Sequence, residues 1–144
     1  MRSLRKIAVL GGGSFGTALA NMIAENGYNV VLWMRSHESV LECSSTHENI
    51  KYLPGLSLDL KLAFSSDLEA SLKDADVVFF SVPSKAFRLL AREARKYISS
   101  DARVISTAKG IEAGTFKLMS QVLEEELPQA RVGVISGPNL ALEI

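Results

Sequence analysis

The residues best equipped for chemistry fall in four short stretches. In "LGGGSFGTALA" (Leu10 to Ala20), Gly11, Gly13 and Gly16 stand at G-x-G-x-x-G spacing. At that spacing the first glycine permits a tight turn and the second leaves bare backbone against a pyrophosphate. The third lets a following helix pack closely, while the helix N-terminus offers free N–H groups and a positive dipole end. The bland alternative is a flexible turn; a strand before and a helix after favour a dinucleotide cradle. Nineteen residues beyond Gly16, "VVLWMRSHE" places Arg35 where NAD-selective sites carry Asp or Glu for the ribose hydroxyls. Arginine cannot accept from a hydroxyl, but it pairs with a 2′-phosphate and stacks on adenine. Its alternative is a solvated charge at a strand end. Glu38 comes three residues too late to substitute. The pattern predicts that NADP(H) is accepted, and NAD(H) with it.

Two further stretches end strands with polar residues, and a third ends one with proline. In "SVPSKAFR", Pro83 closes a strand and Ser84 is placed to cap the next helix, near where a nicotinamide half would lie. "STAKGIE" puts Lys109 just past a strand's carboxyl end, and "SGPNLALEI" follows another with Gly137, Pro138 and Asn139. Ligands of open α/β sheets bind outside the carboxyl ends of the strands. A lysine and a Gly-Pro-Asn turn converging there suit an anionic, phosphate-bearing substrate. Lys109 alone reads equally well as a phosphate or carbonyl contact and as half of a salt bridge. Helix capping is the ordinary role for Ser84 and Asn139.

These residues need a scaffold, and the hydrophobic pattern supplies one. "KIAVL" (6–10), "NVVLWM" (29–34), "VVFFSV" (77–82), "RVISTA" (103–108) and "RVGVIS" (131–136) are β-branched and nearly all apolar, as suits strands buried on both faces. "LKLAFS" (60–65) alternates more and makes a weaker strand. Helical spacing covers Phe15 to Asn26, with Leu19, Met22 and Ile23 on one face and Gly27 as C-cap. It recurs over Ser84 to Ile98, with Phe87, Leu90, Ala91, Ala94 and Ile98 inward. A third stretch runs from Thr115 to Leu127, striped by Leu118, Met119, Val122 and Leu123 and stopped by Pro128. Strands alternating with helices predict right-handed βαβ units. The expected fold class is α/β: a single domain with a doubly wound, mostly parallel, Rossmann-like sheet. "ISGPNLALEI" looks like a strand leading into a new helix cut at Ile144, so the 144 residues read as a fragment of a longer protein.

Bulk properties exclude other classes. Sixteen basic residues balance sixteen acidic ones, which argues against a nucleic-acid stripe or a polybasic membrane patch. The apolar run at the N-terminus is too short for a signal peptide, and no stretch approaches the roughly 20 residues of a membrane span. The single cysteine, Cys43, reads as a small half-buried hydrophobe and fits a reducing compartment. A soluble cytoplasmic protein is expected, with no metal site. His37 and His47 fall in the loop and helix after the second strand and read as solvated surface residues.

Taken in order, "GGGSFGTALA", "LWMRSHE", "NIKYLPGLSL", "SVPSKAFR", "STAKGIE" and "SGPNLALEI" resemble the soluble NAD(P)-dependent glycerol-3-phosphate dehydrogenases of phospholipid synthesis. The resemblance runs from Lys6 almost to the end of the chain. It implies that Ser14, Phe15 and Arg35 contact the dinucleotide, with Ser36, Tyr52, Pro83 and Ala141 joining them. Lys109 would touch both the nicotinamide end and the substrate, and Gly137 and Asn139 would border the substrate's phosphate or hydroxyls. Asn139 stands where many relatives carry serine, which keeps a hydrogen-bonding group there. The implied reaction is reversible hydride transfer between NAD(P)H and dihydroxyacetone phosphate, giving sn-glycerol 3-phosphate. In the family the general acid/base is a second lysine, in a C-terminal helical domain absent from these residues. The chain is thus expected to bind NADP or NAD and turn over negligibly, and a homodimer is a candidate state of the intact protein. The alternatives are another two-domain reductase (ketopantoate reductase or 6-phosphogluconate dehydrogenase type), a dinucleotide module without a reaction, and an S-adenosylmethionine methyltransferase. Arg35 argues against the last, whose cofactor offers no phosphate.

Overall fold

Strand side chains alternate between two faces, and this sequence puts apolar groups on both. In the computed structural model, which describes residues 3–144, β1 (Ile7–Leu10) sends Ile7 and Val9 to one face and Ala8 and Leu10 to the other. β2 (Val30–Trp33) and β4 (Val77–Phe80) divide in the same way, so each must be covered twice. Helices α1 (Ser14–Glu25) and α2 (His37–Thr46) build one covering layer around Leu19, Ala20, Ala24, Val40 and Cys43. Helices α3 (Leu68–Leu72), α4 (Ser84–Ala94) and α5 (Met119–Glu126) build the other around Leu72, Phe87, Leu90, Val122 and Leu123.

With β3 (Ala63–Ser65), β5 (Arg103–Ser106) and β6 (Arg131–Val134), the strands form one sheet in the order β3-β2-β1-β4-β5-β6, every pairing parallel. The doubly wound Rossmann-like reading is therefore observed. The register is unbroken: Leu10 pairs with both Trp33 and Phe80, and Phe80 pairs in turn with Ser106. This levels the strands' carboxyl ends along one edge, where the connecting loops collect.

Helix ends differ from expectation in instructive ways. Helix α1 starts at Ser14, and its C-cap is Asn26 rather than Gly27, which follows in left-handed backbone (φ +84°) and donates to the Ala24 carbonyl at 2.9 Å. Its inner face, however, is lined by Thr17, Ala18, Ala20, Asn21 and Ala24 beside Leu19, while Met22 is 37% exposed. Small side chains bring this helix close to the sheet, and its two polar ones find partners in a covering loop. Ser84 is not a cap: Pro83 holds the capping position with φ −57°, and Ser84 is the first helical residue. Helix α4 ends at Ala94, yet Ile98 stays buried because the following turn folds it back. Helix α5 starts only at Met119, since Gly114 and Phe116 take left-handed backbone and break the run before it. Leu118 is accordingly 54% exposed, its N–H capped by Gln121 Oε1 at 2.8 Å. The C-terminal segment forms a 3₁₀ turn at Ala141–Glu143, and Asn139 caps no α-helix.

Two single residues also depart. Cys43 is fully enclosed at 1% exposure. His47 is not a solvated residue: it ends α2 in left-handed backbone, half-buried, its ring edge-on to Phe64. His37 is exposed, with Nδ1 3.1 Å from the Ser66 hydroxyl.

Phe80 and Phe87 meet at 5.5 Å between ring centres, and neither has any exposed surface. Phe87→Ala should lower the unfolding free energy by about 3–5 kcal/mol, read from urea denaturation, because a rigid strand and helix leave the cavity unfilled.

Candidate functional site

The strand order reverses between β1 and β4. The chain leaves β1 toward β2 on one side and leaves β4 toward β5 on the other, which opens a crevice at their carboxyl ends. Gly11 stands at its floor. Its N–H donates to the Trp33 carbonyl at 3.0 Å, and the neighbouring Leu10 carbonyl accepts from the Ser81 N–H at 2.8 Å. A Cβ on Gly11 would lie 2.2 Å from the Ser81 carbonyl oxygen, at a φ of +120°. A Cβ on Gly16 would lie 2.1 Å from the Gly11 carbonyl oxygen. Both glycines are thus demanded by backbone packing, within the turn and between the two central strands.

Gly13 differs. A Cβ there would meet nothing within 4 Å, although φ −72° permits any residue. It faces open space at the start of α1, whose first turn holds no acidic residue and no side-chain cap. Those first N–H groups are free for an anion, with the helix dipole behind them.

A long loop completes the cradle. Buried Asn49 donates through Nδ2 to the Gly12 carbonyl at 2.9 Å and to Thr17 Oγ1 at 2.8 Å. The Ser14 hydroxyl donates to the Tyr52 carbonyl at 2.5 Å, and the Asp59 N–H donates to Asn21 Oδ1 at 2.7 Å. Thr17 and Asn21 therefore face inward to receive this loop.

Two clefts meet at Gly13 and share Ser81, Val82 and Pro83. The first, about 330 Å³, is lined by Gly11, Trp33, Arg35, Ser36, Lys51 and Tyr52 among others. The second, about 320 Å³, is lined by Ser14, Phe15, Gly16, Thr107, Lys109 and Asn139. No described Asp or Glu lines either. Arg35 lies 6.0 Å above the Trp33 ring, and Ser36 caps α2 by accepting the Ser39 N–H. Lys109 is exposed and makes no ion pair with any described residue. Gly137 and Ala141 line neither cleft. The Gly137 carbonyl accepts from the Asn139 N–H at 2.9 Å, and Ala141 opens the 3₁₀ turn that packs on α1.

Sequence reasoning missed Lys51, Ser39, Ser81 and Thr107 in this site. Lys51 belongs to the loop that Asn49 anchors, and no spacing rule ties such a loop to the first cleft. Ser81 and Thr107 join their hydroxyls at 2.6 Å across β4 and β5, a pairing that needs the sheet register. Equally hidden was an ionic cluster beside the second cleft. Arg88 on α4 grips Glu112 with two bonds (2.6 and 2.8 Å) and Glu126 with one (2.6 Å). Arg92 also bonds Glu126, while Glu125 contacts Arg88 and Lys117. Hydrogen bonds from Arg88 and Thr115 hold the Glu112 carboxyl down to about 2. Burial pushes Glu126 up, but bonds from Arg92 and Arg88 outweigh it and the net direction is downward. No group of three described His, Cys, Asp or Glu residues is placed to hold a metal ion, and no described helix is long and apolar enough to cross a membrane.

Residues 6–144 match the family described as the NAD-dependent glycerol-3-phosphate dehydrogenase N-terminus. The chain belongs to that family. It is 54% identical to a glycerol-3-phosphate dehydrogenase [NAD(P)+] of Teredinibacter turnerae, over all of this chain and 42% of the relative. Its fold matches a glycerol-3-phosphate dehydrogenase from Coxiella burnetii with TM-score 0.91 and 36% identity, over 97% of this chain and 43% of that one. A ketopantoate reductase from Ralstonia eutropha shares the fold alone, at TM-score 0.72 and 24% identity, over 90% of this chain and 40% of that one. The chain thus spans about two fifths of the length of the curated relatives it matches.

The two glycine environments predict very different stability effects. Gly11→Ala should destabilise by about 3 kcal/mol or more, from backbone strain and the Ser81 clash. Gly13→Ala should stay within about 1 kcal/mol of the parent; calorimetric melting separates the two. Glu112 makes a second prediction. Its folded pKa lies below the ordinary 4.5, so its contribution is fully present above that pH and lost as pH falls toward about 2. Urea midpoints measured across that window should fall less steeply for Glu112→Gln than for the parent.

Proposed function

We propose that residues 1–144 are the dinucleotide-binding domain of an NAD(P)-dependent glycerol-3-phosphate dehydrogenase. The intact protein would interconvert dihydroxyacetone phosphate and sn-glycerol 3-phosphate for phospholipid synthesis, in the cytoplasm and as a homodimer. One observation carries the reading: two cation-bearing, carboxylate-free clefts meet at an open glycine at the β1/β4 switch point.

The residues present fit a dinucleotide. A pyrophosphate fits the space beside Gly13, held by the free N–H groups that begin α1, with Ser14 and Phe15 alongside. Gly11 and Gly16 keep the turn tight enough to expose those groups. The first cleft then takes the adenosine end: Arg35 and Ser36 meet the ribose substituents, and Tyr52 closes over them. With no carboxylate to accept a ribose diol, Arg35 favours a 2′-phosphate.

The second cleft takes the nicotinamide end, flanked by Pro83, with Ala141 on the segment packed against α1. The cofactor supplies the hydride when bound. The chain's part is to orient the carbonyl, exclude water and hold charge. Lys109, at the mouth and without an ion pair among the described residues, polarises the carbonyl oxygen or meets the substrate phosphate, with Gly137 and Asn139 beside it. The acid/base lysine lies on a helical domain beyond Ile144, so residues 1–144 alone bind the cofactor without turnover.

Fluorescence titration tests this. NADPH should bind about tenfold tighter than NADH, a difference of about 1.4 kcal/mol, and Arg35→Ala should erase the preference. Gly13→Ala should weaken both. The 144-residue chain should not oxidise NADPH when given dihydroxyacetone phosphate. Tighter binding of S-adenosylmethionine than of either dinucleotide would overturn the reading.

A further inference from the structure

Lys109 has no partner of its own among the described residues, yet the loop carrying it is pinned on both sides. Upstream, the Thr107 N–H donates to the Phe80 carbonyl at 3.1 Å, and its hydroxyl pairs with Ser81 at 2.6 Å. Downstream, Glu112 is held by Arg88 through two parallel bonds and accepts a third from the Thr115 hydroxyl at 2.6 Å. The backbone of Glu112 is fixed as well: its N–H donates to the Lys117 carbonyl at 2.8 Å, and its carbonyl accepts from the Phe116 N–H at 3.0 Å. Between the anchors lie only Ala108, Lys109, Gly110 (φ +97°) and Ile111, which bridges to Leu118. Arg88 is itself immobilised, since Glu126 on α5 takes its remaining arm.

The charges of this cluster cancel. Arg88, Arg92 and Lys117 face Glu112, Glu125 and Glu126, so nothing is left over for a ligand. Gly110 and Gly114 take left-handed backbone, which glycine adopts freely, while Phe116 (φ +58°) holds that shape at a cost its surroundings must offset. Bidentate arginine–carboxylate pairs supply direction as well as energy.

We propose that the Arg88–Glu112 pair is a positioning device for Lys109, fixing the loop so that the ammonium stays at the mouth of the second cleft. Arg88 and Glu112 are positioning residues; neither lines either cleft. The proposal rests on the role given to Lys109 under the proposed function.

A double-mutant cycle in the full-length dehydrogenase tests it, reading kcat and KM for dihydroxyacetone phosphate with NADPH. Glu112→Gln should lower kcat/KM about 10- to 100-fold, the scale of a displacement near 1 Å at a reacting centre. Arg88→Lys, which keeps the charge but not the fork, should fall between parent and Glu112→Gln. Should Glu112→Gln fail to fold by circular dichroism, Arg88→Lys carries the same cycle. Lys109→Met should be impaired, and adding Glu112→Gln to it should cost less than about twofold more, because coupled residues do not add. If Lys109→Met is impaired while Glu112→Gln is neutral, or if the two losses multiply, the positioning role is overturned and the reading of Lys109 stands. If Lys109→Met is as active as the parent, that reading fails and the proposal falls with it.

Discussion

The structure depends on one close backbone approach. The Ser81 carbonyl oxygen occupies the space a Cβ on Gly11 would need, and the Gly11 carbonyl does the same to Gly16. Through these contacts the end of β4, the turn after β1 and the start of α1 stack without side chains between them. The unbroken parallel register delivers the strand ends at one level, and the glycines let them close. If the turn were wider by one methyl group, the α1 N-terminus would move away from the crevice and the two clefts would no longer meet. Gly13 is free of such contacts because its surroundings are the space the turn creates.

The second constraint is polar. The loop between α2 and β3 is too long and too rich in turns to be held by apolar contact alone, although Leu53 and Leu58 are buried. Asn49 holds it to the Gly12 carbonyl and Thr17, and Asn21 receives the Asp59 N–H. An unmet buried polar group costs about 1–3 kcal/mol, so Thr17 and Asn21 on the inner face of α1 require the loop as much as the loop requires them. This mutual satisfaction carries Lys51 and Tyr52 to the rim of the first cleft. The cleft wall is thus built from a helix, a strand end and a loop that share one hydrogen-bond network.

Strands were legible because both faces of the sheet are covered, which writes each strand as an apolar run such as "VVFF". The central glycines were legible because their spacing reflects backbone packing that is local in sequence. Helix boundaries were less so. The stripe Leu118-Met119-Val122-Leu123 has helical spacing, but left-handed Gly114 and Phe116 exclude its first residue from the helix. Met22 has the right spacing for the core and lies outside it, because alanines at 18, 20 and 24 bring α1 closer than a methionine allows. His47 looked like a surface residue because its burial comes from Phe64, seventeen residues on. Lys51 and the partners of Arg88 had no local signature, since Glu112 and Glu126 lie 24 and 38 residues from it.

Charge placement connects these layers. Formal charge sums to zero over the chain, yet it is far from evenly mixed. Around Arg88, the cations Arg88, Arg92 and Lys117 each meet a carboxylate, and their charges balance within the cluster. Along the clefts Arg35, Lys51 and Lys109 share their walls with no described carboxylate. Cations lining a cleft without counter-charge gain from any anion that enters, so they mark where the fold leaves work for a ligand. On the proposed function, a dinucleotide with phosphates at its centre and at one ribose would supply negative charge beside Gly13 and Arg35, and a phosphorylated substrate would supply it beside Lys109. The closed cluster next to that lysine then has a clear physical sense. An exposed ammonium without a partner among the described residues is kept in place by what holds its backbone, and on the proposal above that is the Arg88–Glu112 pair, itself tied to Glu125 and Glu126.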